Sequence, residues 1–197
     1  MTALHAPEEP AAPAVLWLVV IVLGAIGAAV VGLTAPGSAL MGPGSAAIRG
    51  AVHGMCAGLF MITSTIGLFQ AYRLFAGRVG SIAELQMGGL INAVMAWLSI
   101  LSGNWIYIPY RAAGGPRSHF LQTAPEVHKI FFEFKEFIAL FTAPLAVVAA
   151  YLLIRYGNQV SHRKDLRAMV AVLLVLSFFY FIVTFGLGAA ITKLRSV

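Results

Sequence analysis

Residues Leu166–Lys193 read LRAMVAVLLVLSFFYFIVTFGLGAAITK, with no charged side chain between Arg167 and Lys193. At about 1.5 Å per helical residue, such a run is longer than the ~30 Å of hydrocarbon in a bilayer. Four similar runs precede it, roughly Ala14–Leu33, Ala46–Leu74, Gln86–Ile108 and Ala124–Ile154. The whole chain of 197 residues is 60% hydrophobic and only 10% charged, far from the composition of a soluble domain. No segment alternates as a barrel strand would. The sequence therefore predicts an all-α integral membrane protein: a five-helix transmembrane bundle over residues 14–193 behind a short tail, 1–13.

That tail carries Glu8, Glu9 and three prolines and no basic cluster, so a cleaved signal peptide is not expected. A single cysteine, Cys56, lies within the second run and rules out an intramolecular disulfide. The formal charge of +6 comes from basic residues beside helix ends, where they anchor the chain to lipid headgroups; no nucleic-acid partner is implied.

Five spans put the N-terminus and the second and fourth connections on one face. Arg73, Arg78, Arg155, Arg163, Lys164 and Arg167 on that face balance Arg49, Arg111, Arg117, Lys129, Lys193 and Arg195 on the other. Four of the first group crowd into one short connection. Their density favours a bacterial inner (cytoplasmic) membrane with the N-terminus inside and the C-terminus outside, which places the loop PYRAAGGPRSH, Pro109–His119, outside.

Two rows of small residues at spacing four, Gly24/Ala28/Gly32 and Gly50/Gly54/Gly58, read as helix contacts, since in lipid a close backbone approach drives association. The stripe Asn92, Ala96, Ser99 and Gly103 is expected to face inward, with Asn92 making an interhelical hydrogen bond or lining a quinone site.

The most unusual stretch is VHKIFFEFKEFIALF, residues 127–141, which opens the fourth span with a histidine, two lysines and two glutamates. Thr123-Ala124-Pro125-Glu126 has the form of a capping box, so the helix is expected to start near Ala124 with Thr123 as its cap. In that register His128 and Lys135 share a face, and Lys129, Glu133 and Glu136 occupy the adjoining one. Snorkelling accounts for Lys129. Glu133 and Glu136 lie about 14 and 18 Å into the helix. Lipid exposure at the bilayer centre would cost each on the order of 2.5–3.5 kcal/mol, so both are expected inside the bundle, paired with a base.

His53 lies two turns into the second span, which starts on the same membrane face as the fourth. His53 and His128 are thus candidates for the two axial ligands of a b-type haem held near the outer face. Gly54 beside His53, with Phe60 and Met61 two turns on, is compatible with such a ring, and Arg49 and Arg111 would pair with its propionates. His119 is the substitute ligand from the outer loop. A metal centre of His53, His119, His128 and Glu133 or Glu136, holding copper, zinc or iron, is the related alternative. His162, among basic residues at the opposite end, is expected in solvent, and His5 in the tail carries no readable role.

The segment Tyr107-Ile108-Pro109-Tyr110-Arg111-Ala112, followed by a Gly/Pro loop and then by His128 and Lys135-Glu136, resembles a poorly characterised group of bacterial multi-pass membrane proteins. The likeness covers Asn104–Phe137. It implies a shared architecture and a role for the outer loop and the fourth helix, and it brings no established reaction.

Three functions follow. The first is a membrane subunit of an electron-transfer complex, binding haem b between the second and fourth helices and exchanging electrons with a quinone or a periplasmic cytochrome c, while Glu133, Lys135 and Glu136 handle protons or fix a histidine tautomer. The alternative is a cofactor-free structural or anchoring subunit among other membrane subunits. The third is a small transporter or channel, ranked last because neither inverted repeats nor broken helices occur apart from Pro144. With no nucleophile motif, phosphate loop or metal signature, a non-catalytic or electron-transfer subunit is favoured over a stand-alone enzyme.

Overall fold

The computed structural model describes residues 46–194. The tail 1–13 and the first expected span, 14–33, with Gly24, Ala28, Gly32 and His5, lie outside the described residues. Six α-helices are described: α1 Ala46–Phe75, α2 Ile82–Arg111, α3 Pro116–Thr123, α4 Glu133–Tyr156, α5 Gln159–His162 and α6 Lys164–Leu194. A π-helical turn, Val127–Phe132, runs directly into α4. Four helices, counting that turn with α4, are long and apolar enough to cross a membrane, and no strand occurs among the described residues.

Two boundaries have local causes. α2 begins at Ile82 rather than Gln86 because Ser81 caps it, its hydroxyl accepting from the Glu84 N–H at 3.5 Å. The expected capping box at Thr123 does not form. Gly115 and Pro116 start a separate helix inside the loop, proline in the first turn. Thr123 ends that helix, and its hydroxyl donates back to the His119 carbonyl at 2.9 Å. Glu126 makes no capping bond either.

The four long helices form a ring in which α1 packs on α2 and α6, and α4 on α2 and α6. Alanines let the backbones approach: Ala57 of α1, Ala93 and Ala96 of α2 and Ala143, Ala146 and Ala150 of α4 make one buried layer, closed by Phe60 and Phe181 with ring centroids 4.1 Å apart. Polar groups also bridge helices. Ser177 donates to the Thr142 carbonyl and Gln86 to that of Leu153, both at 3.1 Å. Asn92, Ala96 and Ser99 are buried, as their stripe implies. In the glycine row of α1, a Cβ on Gly50 would meet Ile106 at 3.8 Å, whereas at Gly54 and Gly58 no described atom comes within 4 Å.

The start of α1, the end of α2, the start of α4 and the end of α6 share one end of the ring, where Tyr110, Phe120, Phe132 and Ile191 form a second apolar cluster. The charged residues singled out above gather around that cluster.

Candidate functional site

The π-helical turn builds the site. The Glu133 N–H bonds to the His128 carbonyl five residues back, the defining π pattern, which is rare and recurs at functional sites. In an α-helix, at about 100° per residue, positions five apart point some 140° away from each other. With one extra residue in the turn, Glu133 instead comes over His128, its Oε1 3.5 Å from the imidazole Nε2 and 3.7 Å from Arg111 Nη2.

His128 is buried and both its ring nitrogens are engaged. Nε2 receives a hydrogen bond from Arg117 Nε at 3.0 Å, and Nδ1 lies 3.0 Å from the Tyr110 hydroxyl. Guanidinium only donates, so Nε2 must be the acceptor and Nδ1 the protonated nitrogen that donates to Tyr110. His128 is therefore neutral, and its approach to Glu133 is not an ion pair in this state.

An aromatic stack floors the site. Tyr110 lies on Phe132 at 4.1 Å and 2° between planes, and Tyr107 stacks on both at 5.9 Å. Cations cap it: Arg111 sits 4.6 Å from the Tyr107 ring and Lys135 Nζ 4.8 Å from that of Phe132. Lys135 is half-buried, and its stem passes Gly188, where a Cβ would stand 3.7 Å from Lys135 Cδ. Half-buried Glu136 lies within electrostatic reach of Lys135, Tyr107 and Arg111. Deeper in the bundle, His53 Nδ1 is 3.1 Å from the Ser102 hydroxyl, which itself donates to the Leu98 carbonyl at 2.7 Å. Lys135 is within electrostatic reach of that imidazole.

Of the residues picked from sequence, the fold brings together His128, Glu133 and Arg111 and sets Lys135 and Glu136 beside them. His53 belongs to a different level. Its partner Ser102 and the His128 partner Tyr110 are eight residues apart on α2, about 12 Å along the axis. Glu133, expected inside, is 48% exposed, because the π turn rotates it to the rim where Arg111 neutralises it.

The haem arrangement does not fit these placements. Iron needs an imidazole lone pair, and that of His128 is taken by Arg117. Arg111 is engaged with Glu133 and Tyr107, and Arg49 donates to the Trp105 carbonyl at 3.5 Å. Phe60 packs on Phe181 in the core. The ring contact of His119 is with Phe120, at 5.7 Å, rather than with either ligand candidate. The four-residue metal centre is likewise not assembled: no group of three or more His, Cys, Asp or Glu able to hold a metal occurs among the described residues. His162 is exposed, as expected.

Arg117, Tyr110, Tyr107 and Ser102 complete the site and were not singled out for it from sequence. Tyr107 and Tyr110 were legible as an i, i+3 pair, but Arg117 reaches His128 across the loop helix α3, which no periodicity announces. No family model, no curated protein and no solved structure matches the chain, so its chemistry rests on the site itself.

Proposed function

We propose that the protein is a membrane subunit of an electron-transfer complex and supplies a blind proton inlet, with the redox group, a quinone or a cytochrome, borne by a partner subunit. The observation that carries this reading is the run of titratable groups from the rim inward: Glu133, His128, Tyr107 with Glu136, Lys135, then His53 on Ser102. Charged and ionisable groups inside a span are costly and line ion or proton paths. The titratable run stops at the layer of alanines closed by Phe60 and Phe181, where the buried polar side chains are Asn92, Thr142, Ser177 and Ser64, none of them a proton acceptor near neutral pH, so it loads protons without passing them across. A transporter would need the titratable run to continue through that layer.

The entry step follows from the tautomer. Neutral His128 takes a proton on Nε2, becoming imidazolium. The new N–H repels Arg117 and finds the Glu133 carboxylate, already 3.5 Å away. Arg111, Arg117 and Lys129 are the cations that face this imidazole, and Glu133 the anion. Protonation thus exchanges one partner for another and frees a guanidinium at the rim.

Infrared difference spectroscopy of the purified protein in liposomes, titrated from acid to neutral, tests this. Reversible imidazole signals are expected, one lost in His128→Gln and another in His53→Gln, with no steady proton flux under an imposed potential when a pH-sensitive dye is trapped inside. Steady flux that Glu136→Gln abolishes would establish a channel instead. Absence of a titrating imidazole signal that His128→Gln removes would end the proton-inlet reading.

A further inference from the structure

At the end of the ring opposite the charged site, α1 and α2 leave a groove of about 550 Å³ between them, open on its outer side among the described residues. Its walls are apolar and bare: Ile66, Met87 and Ile91 are 51%, 59% and 42% exposed. The surface end is closed by Gln70, whose amide lies on Gly88 so closely that a Cβ there would stand 2.5 Å from Nε2. Beside it stands Glu84, exposed and in no ion pair among the described residues. The adjoining turn carries Arg73, its guanidinium against Gly80, and exposed Arg78.

We infer that this groove is a binding site for one aminophospholipid, of the phosphatidylethanolamine class. From Thr63 to Arg73 the helix rises about 15 Å, half of the hydrocarbon thickness, so an acyl chain fills the groove while its headgroup reaches the turn. The charge pattern there is mixed, and it matches a zwitterion. The phosphate meets Arg73 and Arg78, and the primary ammonium meets Glu84 and the Gln70 carbonyl oxygen, both acceptors. A choline headgroup has no N–H to donate to them, and a glycerol headgroup leaves the lipid anionic beside Glu84. The site stands apart from the proton inlet and does not depend on it.

Native mass spectrometry of the delipidated full chain, offered phosphatidylethanolamine, phosphatidylglycerol and phosphatidylcholine in turn, decides the matter. One retained lipid is expected, with phosphatidylethanolamine preferred. Glu84→Lys, a change of two unit charges, should shift the preference toward phosphatidylglycerol by about thirtyfold, at about fivefold per charge at a membrane surface. Met87→Trp, at an exposed wall position that leaves the core intact, should displace all three. Equal retention of the three lipids, or a preference that Glu84→Lys leaves unchanged, would reduce the groove to ordinary lipid contact and overturn the assignment.

Discussion

His128 is held by two opposite demands, a guanidinium that donates to Nε2 and a phenol that accepts from Nδ1. Removing the phenolic oxygen leaves the Nδ1–H buried without an acceptor, a loss of about 1–3 kcal/mol. Tyr110→Phe should therefore lower the unfolding free energy of the detergent-solubilised protein by that amount. Glu133→Gln, at a half-exposed rim position whose neutral-state contact with His128 is no ion pair, should leave it within about 0.5 kcal/mol. Denaturant titration of the two variants checks the contrast. Equal losses would mean that His128 is already charged and paired with Glu133. At this scale the sequence pointed to His128, Glu133 and Arg111, because charge in an apolar run is conspicuous. It did not point to Arg117, since the contact spans eleven residues of loop and short helix and depends on where α3 lies.

The π-helical turn is the element that converts a charged helix start into a site. Reading VHKIFFEFKEF in α register put His128 with Lys135 and turned Glu133 inward; the extra residue reverses both, leaving Lys135 over the Phe132 ring and Glu133 at the rim. Hydrophobic periodicity could not reveal this, because a single π turn shifts phase by one residue within a stretch of phenylalanines that fits either face. Ile130 lies in the turn and is 57% exposed, so its deletion removes a backbone unit with little packed side chain. The shortened turn should close in α register with His128 and Glu133 four residues apart, about 40° round the helix and on one face. The imidazole signal of His128 should then keep its dependence on Glu133→Gln, while the helical circular dichroism remains. Loss of the Glu133 effect in the deletion would show that the contact needs the π turn itself rather than the shared face.

At the scale of the molecule, apolar length and composition were enough to read the helical membrane architecture, because the ~30 Å hydrocarbon thickness sets helix length directly. Helix order around the ring was less legible. It depends on which small residues meet, and the glycine row most evident in sequence, Gly50/Gly54/Gly58, touches a described helix only at Gly50. The close seam lies elsewhere, at Gly89, where α2 crosses α4. A Cβ at Gly89 would stand 2.9 Å from Leu153 Cδ1 and 3.5 Å from the Ala150 Cα. Leu153 and Ala150 are both fully buried, so neither can yield without moving a helix. The same stretch of α4 supplies the Leu153 carbonyl that Gln86 holds from one turn earlier on α2. Gly89→Ala should therefore cost about 1–3 kcal/mol by overpacking, and Gly54→Ala, with no described atom in reach, less than about 0.5 kcal/mol. Unfolding of both variants under identical detergent conditions measures the difference. A Gly54→Ala loss as large as that of Gly89→Ala would mean that the outer face of α1 is itself a packed seam, as the spacing of its glycines first suggested.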